Sequence, residues 1–286
     1  MNRGSLRLFS VTLAAVLALT RPAAVRASGS DSVTVALEPY AGRLLSLTAT
    51  IGREKLRLLL DTGGGQTLIG PGVAAKLGCT PRGRGVALRM SGERFEFKYC
   101  DSVALEIGGR RFPRPEIAVW DVTAVLPSGL PAVDGVLALD TFTDQPFTLD
   151  LAGRTLTIES AETLKRRVAR MRRVEARIAS GLSGADLTVF VRGGLDEIGW
   201  FLLDSGNLDV VQAAPHMIHG GGVGSREASL RLSGLPPVAV SVRARDIVHD
   251  GVLSEAFLRG WVWTFRLATG DVWAARVRAD PPGSVP

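Results

Sequence analysis

The sequence predicts an all-β chain folded as two pseudo-symmetric lobes joined by an amphipathic helix. Three observations carry that prediction. Short apolar or alternating runs, punctuated by glycine, proline and aspartate, fill most of the chain, as half-buried strands require. Two stretches of the first half recur, in the same order, in the second. Between the halves lies a single segment with helical spacing, running from Ser160 to Gly181.

The elements follow in chain order. Residues 1–27 have the parts of an export signal: Arg3 and Arg7, an apolar stretch over 8–19, then small residues, with Val25-Arg26-Ala27 as the cleavage site. The apolar stretch is shorter than the roughly 20 residues a spanning helix needs, so cleavage near Ala27 is expected, with a retained anchor as the alternative. No later segment is apolar and long enough to cross a membrane as a helix. Arg3, Arg7, Arg21 and Arg26 would leave with the signal, taking the formal charge from +6 to near +2. A charge that small gives no case for a nucleic-acid partner. With 46 % hydrophobic and 22 % charged residues in a chain of 286, the composition is that of a globular protein with ample core rather than a disordered or fibrous one.

Residues 28–159 form the first predicted lobe, with strand-like runs at 33–37, 45–51, 56–60, 86–90, 95–99, 103–107, 117–119 and 148–158. Met90-Ser91-Gly92-Glu93 reads as the tip of a hairpin, and Gly108-Gly109 as another turn. Arg110, Arg111 and Arg114 form a small basic cluster, expected at the surface. Cys79 and Cys100 are an even count in an exported chain, which permits a disulfide; two buried thiols are the other reading.

Residues 160–181 read as the inter-lobe helix. Leu164, Val168, Met171, Val174 and Ile178 fall at helical spacing, Ser160 is the N-cap, Glu162 lies in the first turn and Gly181 is the stop. Lys165, Arg166, Arg167, Arg170, Arg172, Arg173 and Arg177 cover its other faces, either as a solvated surface or as a docking face for anionic lipid or an acidic partner. Residues 182–286 form the second lobe, with runs at 187–191, 198–203, 228–232, 238–242 and 261–267.

The repeat carries the chemistry. Leu58-Leu59-Leu60-Asp61-Thr62-Gly63 lies over Phe201-Leu202-Leu203-Asp204-Ser205-Gly206 at an offset of 143. Asp134-Gly135-Val136-Leu137 lies over Asp250-Gly251-Val252-Leu253, and Phe147-Thr148-Leu149 over Trp263-Thr264-Phe265, at an offset of 116. A carboxylate at the end of an apolar run is costly to bury alone. Two such carboxylates, each followed by a hydroxyl residue and a glycine, make sense as a pair.

This pattern resembles the pepsin-like aspartic peptidases, in the form of a bacterial, exported, two-lobed member with retropepsin-like halves. The resemblance implies the acid-protease fold and an aspartic-type endopeptidase that hydrolyses peptide bonds with two water-activating aspartates, Asp61 and Asp204. It implies that Thr62 and Ser205 lock the two loops, that Gly63 and Gly206 bring backbone close to the carboxylates, and that the segments ending in Gly135 and Gly251 cross beneath them. It also implies one flap, Met90-Ser91-Gly92, over a peptide or protein substrate held between the lobes. No cofactor or metal is expected: His216, His219 and His249 are the only histidines, and no His-Glu-x-x-His helix is present. A monomer suffices, since both carboxylates lie on one chain, and the expected location is periplasmic or secreted. The alternative function is a two-lobed peptide-binding protein that keeps the cleft without the reaction.

The chain departs from the family at three points. Gly64 and Asn207 follow the two Asp-[Thr/Ser]-Gly triplets, where Ser, Thr or Ala is usual. Without a hydroxyl at position 64, Asp61 is expected to be less acidified than in pepsin, giving a mildly acidic to neutral optimum. No tyrosine stands at the flap tip; Tyr99 lies at the far end of that hairpin.

Overall fold

The computed structural model describes residues 31–180, 186–220 and 224–277; the expected signal segment and the Gly181 stop lie outside the described residues. Among them, the strands form three sheets. The first lobe is built on an eight-stranded sheet, the second on a seven-stranded one, and a six-stranded sheet joins them.

Each lobe holds its aspartate by the same device. In the first lobe, the strand Glu54–Leu60 runs parallel to Gly135–Leu137, pairing Leu58 with Gly135 and Leu60 with Leu137. Leu68–Ile69 then returns antiparallel to that inserted strand. In the second lobe, Ile198–Leu203 runs parallel to Gly251–Leu253, pairing Phe201 with Gly251 and Leu203 with Leu253, and Val211–Ala213 returns antiparallel. Leu58, Leu60, Phe201 and Leu203 are buried, so the strands before both aspartates are anchored in core on rigid elements.

The joining sheet explains the second echo in the sequence. Its two central strands, Phe147–Asp150 and Trp261–Arg266, pair antiparallel with Thr148 opposite Thr264. Their hydroxyls meet at 2.8 Å, and Phe147 stacks on Phe265 at 4.8 Å. The two equivalent strands thus face each other at the centre of the molecule, each lobe's third motif closing on the other's.

The inter-lobe helix is shorter than its spacing predicts. It spans Ala161–Val168, opened by a capping box between Ser160 and Thr163. Residues beyond it are strands: Arg172–Val174 pairs with Asp271–Arg276 at the edge of the joining sheet, and Ala176–Ala179 pairs with Thr188–Gly194. Val174, Ala176 and Ile178 are spaced by two, so strand and helix patterns coincide there. The free sheet edge decides between them by offering a hydrogen-bond partner to each backbone group. The single predicted run 148–158 is likewise two strands, Phe147–Asp150 and Thr155–Ile158, separated by a turn with Arg154 at φ 52°. No described helix is long and apolar enough to cross a membrane.

The basic cluster at 110–114 is not all surface. Arg114 is 9 % exposed and pairs with the buried carboxylate of Asp140, which accepts hydrogen bonds from the Thr67 N–H at 3.0 Å and the Thr67 hydroxyl at 2.6 Å. Burial pushes the Asp140 carboxyl up, while Arg114 and Thr67 hold it down. Arg114 departs from the expected surface position because its partner Asp140 is distant in sequence and reaches it only in the folded chain.

Candidate active site

Asp61 and Asp204 occupy equivalent turns. The Asp61 N–H donates to the Leu137 carbonyl and the Asp204 N–H to the Leu253 carbonyl, both at 3.0 Å. Within each loop, the glycine two residues on donates its N–H to the carboxylate: Gly63 to Asp61 Oδ1 and Gly206 to Asp204 Oδ1, both at 2.9 Å.

The glycines also explain why the carboxylates can approach. A Cβ on Gly63 would lie 2.6 Å from Cγ of Asp204, and one on Gly206 would lie 2.7 Å from Cγ of Asp61. Each loop therefore passes its backbone directly against the other loop's carboxylate, where no side chain fits. Beneath them the same logic holds: a Cβ on Gly135 would sit 2.1 Å from the Leu68 carbonyl oxygen, and one on Gly251 would sit 2.4 Å from the Phe201 ring.

Thr62 and Ser205 lock the loops reciprocally. The Ser205 N–H donates to the Thr62 hydroxyl at 2.9 Å, and that hydroxyl donates to the Leu203 carbonyl at 2.7 Å. In mirror fashion, the Thr62 N–H donates to the Ser205 hydroxyl at 3.0 Å, and that hydroxyl donates to the Leu60 carbonyl at 3.1 Å. Both residues are buried. Four hydrogen bonds thus join the two lobes directly beneath the carboxylates.

The electrostatics of the pair are asymmetric. Burial raises both carboxyls, and the charge of Asp61 raises Asp204 further, well above the usual carboxylate range. Asp61 is raised less, because the N–H groups of Gly63, Gly64 and Gly206 and a hydrogen bond from Asp204 favour its ionised form. Two carboxylates held together in this way resist ionising at the same time, so the pair shares one proton. Gly64 also contributes here. Its N–H serves Asp61, and a Cβ at that position would lie 3.1 Å from Asp61 Oδ2.

A cleft of about 790 Å³ opens over the pair. Met90 and Ser91 from the hairpin tip line it together with Leu88, Phe95, Trp120 and His249. The tip itself is a tight turn: Arg89 N–H donates to the Glu93 carbonyl, and Gly92, at φ +82°, donates to the Arg89 carbonyl. Gly92 does not line the cleft; it packs toward Val248 of the second lobe, whose N–H donates to the Met90 carbonyl at 3.1 Å. The hairpin therefore spans the cleft and rests on the opposite lobe. Tyr99 is outside the cleft. Cys79 and Cys100 form a disulfide, tying the segment after the helix Pro71–Lys76 to the strand Arg94–Ile107 that rises into the flap.

Sequence reasoning missed Val248 and His249 as cleft neighbours, and the Arg114–Asp140–Thr67 network beside the first loop. His249 is half-buried against Phe190 at 5.1 Å, and burial lowers its imidazole. The only sequence signal for it was its place directly before Asp250-Gly251, where the first half has Val133 before Asp134-Gly135. His216 and His219, three residues apart, pair separately with Asp250 and Glu197.

A family model described as aspartyl protease matches residues 47–141, a span that contains Asp61 and Gly135 but not Asp204. No curated protein matches the chain. Among solved structures, the chain is similar to basic 7S globulin from soybean, with a TM-score of 0.55 and 10 % identity over 86 % of this chain and 95 % of that one. It is also similar to conglutin gamma, a basic 7S globulin from lupine seeds, with a TM-score of 0.57 and 9 % identity over 87 % of this chain and 95 % of that one. At such identities the likeness is one of fold: all-β, bilobal and acid-protease-like.

Proposed function

We propose that this chain is an aspartic-type endopeptidase acting on extended peptides bound between its lobes. The observation that carries the reading is the carboxylate pair itself: burial raises the carboxyls of Asp61 and Asp204, each lies against the other loop's glycine, and the charge of Asp61 raises Asp204 further. Hydrolysis without metal or covalent intermediate needs a base for water and an acid for the departing amine. The ionised Asp61 takes a proton from a water held between the carboxylates. Asp204, protonated, hydrogen-bonds the scissile carbonyl oxygen as the water oxygen bonds to its carbon. Collapse of the tetrahedral adduct breaks the C–N bond, and the proton held on Asp61 passes to the amine. The exposed Leu88 and Val125, with Phe95 and Trp120, favour apolar side chains beside the cleaved bond, while flap main chain supplies strand-like hydrogen bonds.

The test is incubation of the protein lacking residues 1–27 with a peptide library from pH 3 to 8, with and without a pepstatin-type inhibitor. Asp61→Asn and Asp204→Asn should each lower cleavage by about 10²–10⁴-fold or more; cleavage that survives either change would sink the dyad assignment. Binding of peptides without cleavage would favour the peptide-binding alternative. Export belongs to the same proposal, supported by Arg3, Arg7 and the apolar run at 8–19. N-terminal sequencing of the exported protein should begin near Ser28.

A further inference from the structure

A second cavity of about 1000 Å³ lies against the end of the joining sheet where Trp261 pairs with Arg276, and shares no lining residue with the cleft. Five arginines line it: Arg166 and Arg167 from the short helix, Arg170 and Arg172 just beyond it, and Arg276 from the sheet edge. Among the described residues, no aspartate or glutamate does. Arg167 is held by Glu159, whereas Arg166, Arg170, Arg172 and Arg276 have no ion pair among the described residues. The remaining side chains are mostly apolar, with Met171, Pro236 and Trp261 among them. Arg276 lies 4.4 Å over the Trp261 ring. Trp261 is 2 % exposed and its Nε1 has no hydrogen-bond partner, unlike that of Trp263, which donates to the Leu258 carbonyl.

Four arginines with no ion pair among the described residues line one concavity, and an anion bound there offsets the repulsion between their charges. We propose that this cavity binds a ligand carrying a phosphate group on an apolar body. Guanidinium forks match phosphate oxygens bidentately, and the apolar wall at Met171, Pro236 and Trp261 receives the body. The open, solvent-facing cavity has the volume of a small-molecule or headgroup site, whereas an extended acidic peptide would need cations spread along a groove. Shortening of the helix is what builds the site. A helix continuing through residues 170–178 would distribute the arginines around its circumference, but the turn after Val168 gathers Arg166, Arg170 and Arg172 beside the sheet edge.

The phosphate group could be presented by a lipid or by a soluble ester, and two probes separate these sources. Inorganic pyrophosphate in titration calorimetry tests the soluble source; vesicles of phosphatidylcholine with about 30 % phosphatidylglycerol test the headgroup. The variant R166Q/R170Q is compared with R53Q/R111Q, which removes the same charge from exposed positions outside the cavity. Equal melting temperatures for the two show that folding is intact. Wild type should bind at least one probe. The cavity pair should weaken vesicle binding roughly 25-fold, taking about five-fold per arginine at an anionic surface, while the control pair stays within about two-fold. Pyrophosphate binding lost in the cavity pair alone equally supports the site and assigns a soluble ester. Equal loss in both pairs, no binding of either probe, or tighter binding of a polyglutamate peptide would overturn the proposal. The readout is binding, so the outcome is independent of whether the cleft hydrolyses peptides.

Discussion

Replacing Thr62 with valine tests the lock beneath the carboxylates. Valine has the shape of threonine, so no cavity forms; only the hydroxyl is lost. That hydroxyl accepts from the Ser205 N–H at 2.9 Å and donates to the Leu203 carbonyl at 2.7 Å, in a site where Thr62 is 1 % exposed. Leaving a buried polar group unpaired costs about 1–3 kcal/mol. With one donor stranded and one acceptor weakened, the variant should lose about 2–4 kcal/mol. At about 2–4 °C per kcal/mol for a chain of this size, the melting temperature should fall by roughly 4–16 °C. The Thr62→Ser variant is the control. It keeps the hydroxyl that Ser205 uses for the same purpose in the other loop, and it gives up one methyl, worth about 1 kcal/mol. Differential scanning calorimetry measures both, and peptide cleavage should drop for valine mainly in kcat, because the lock sets the carboxylate spacing rather than the substrate contacts. A valine variant that melts within 1 °C of wild type and cleaves as fast would refute the reasoning.

Three further outcomes are expected. Because Asp204 holds its proton more tightly folded than unfolded, stability should be full below the ordinary carboxylate pKa near 3.8 and decline as pH rises through the raised value, at up to about 1.4 kcal/mol per pH unit; Asp204→Asn should flatten that decline in melts from pH 4 to 8, and an unchanged slope would contradict the proton's placement. Gly64→Ser would put a hydroxyl beside Asp61 Oδ2, favouring the ionised form, so the acidic limb of the pH–rate profile should move to lower pH; no movement, or movement upward, would refute the role given to Gly64. Gly135→Ala drives a Cβ to 2.1 Å from backbone oxygen and should cost about 3 kcal/mol or more, whereas Gly72→Ala, with nothing within 4 Å, should be neutral or slightly stabilising; chemical denaturation of the two variants separates them.

Much of the site was legible because its physical demands are local and are met twice. An aspartate that must sit at a strand end, take an N–H from a glycine two residues on, and be backed by a hydroxyl leaves the same short text wherever it occurs. The offsets of 143 and 116 are visible in the registers themselves: Leu58 pairs with Gly135 as Phe201 pairs with Gly251. Residues 170–179 were not legible in this way. Their apolar spacing satisfies a helix and a strand, and the choice rests on strands that come later in the chain: Asp271–Arg276 for Arg172–Val174 and Thr188–Gly194 for Ala176–Ala179. Arg114 was misread for a related reason, since its partner Asp140 is close only after folding.

The sequence alone determined that this chain has two equivalent β-rich halves, each carrying an aspartate loop and a glycine segment beneath it, because those features are fixed by neighbours within a few residues. Tertiary structure alone decided what happens between the halves. It set the reciprocal Thr62–Ser205 lock, raised the Asp204 carboxyl above its partner, rested the hairpin tip on Val248, and gathered at the end of the joining sheet four arginines that have no ion pair among the described residues. Each of these depends on groups brought together across the pseudo-symmetry axis or around a sheet edge. Their energies depend on distance and burial, which a linear pattern does not encode.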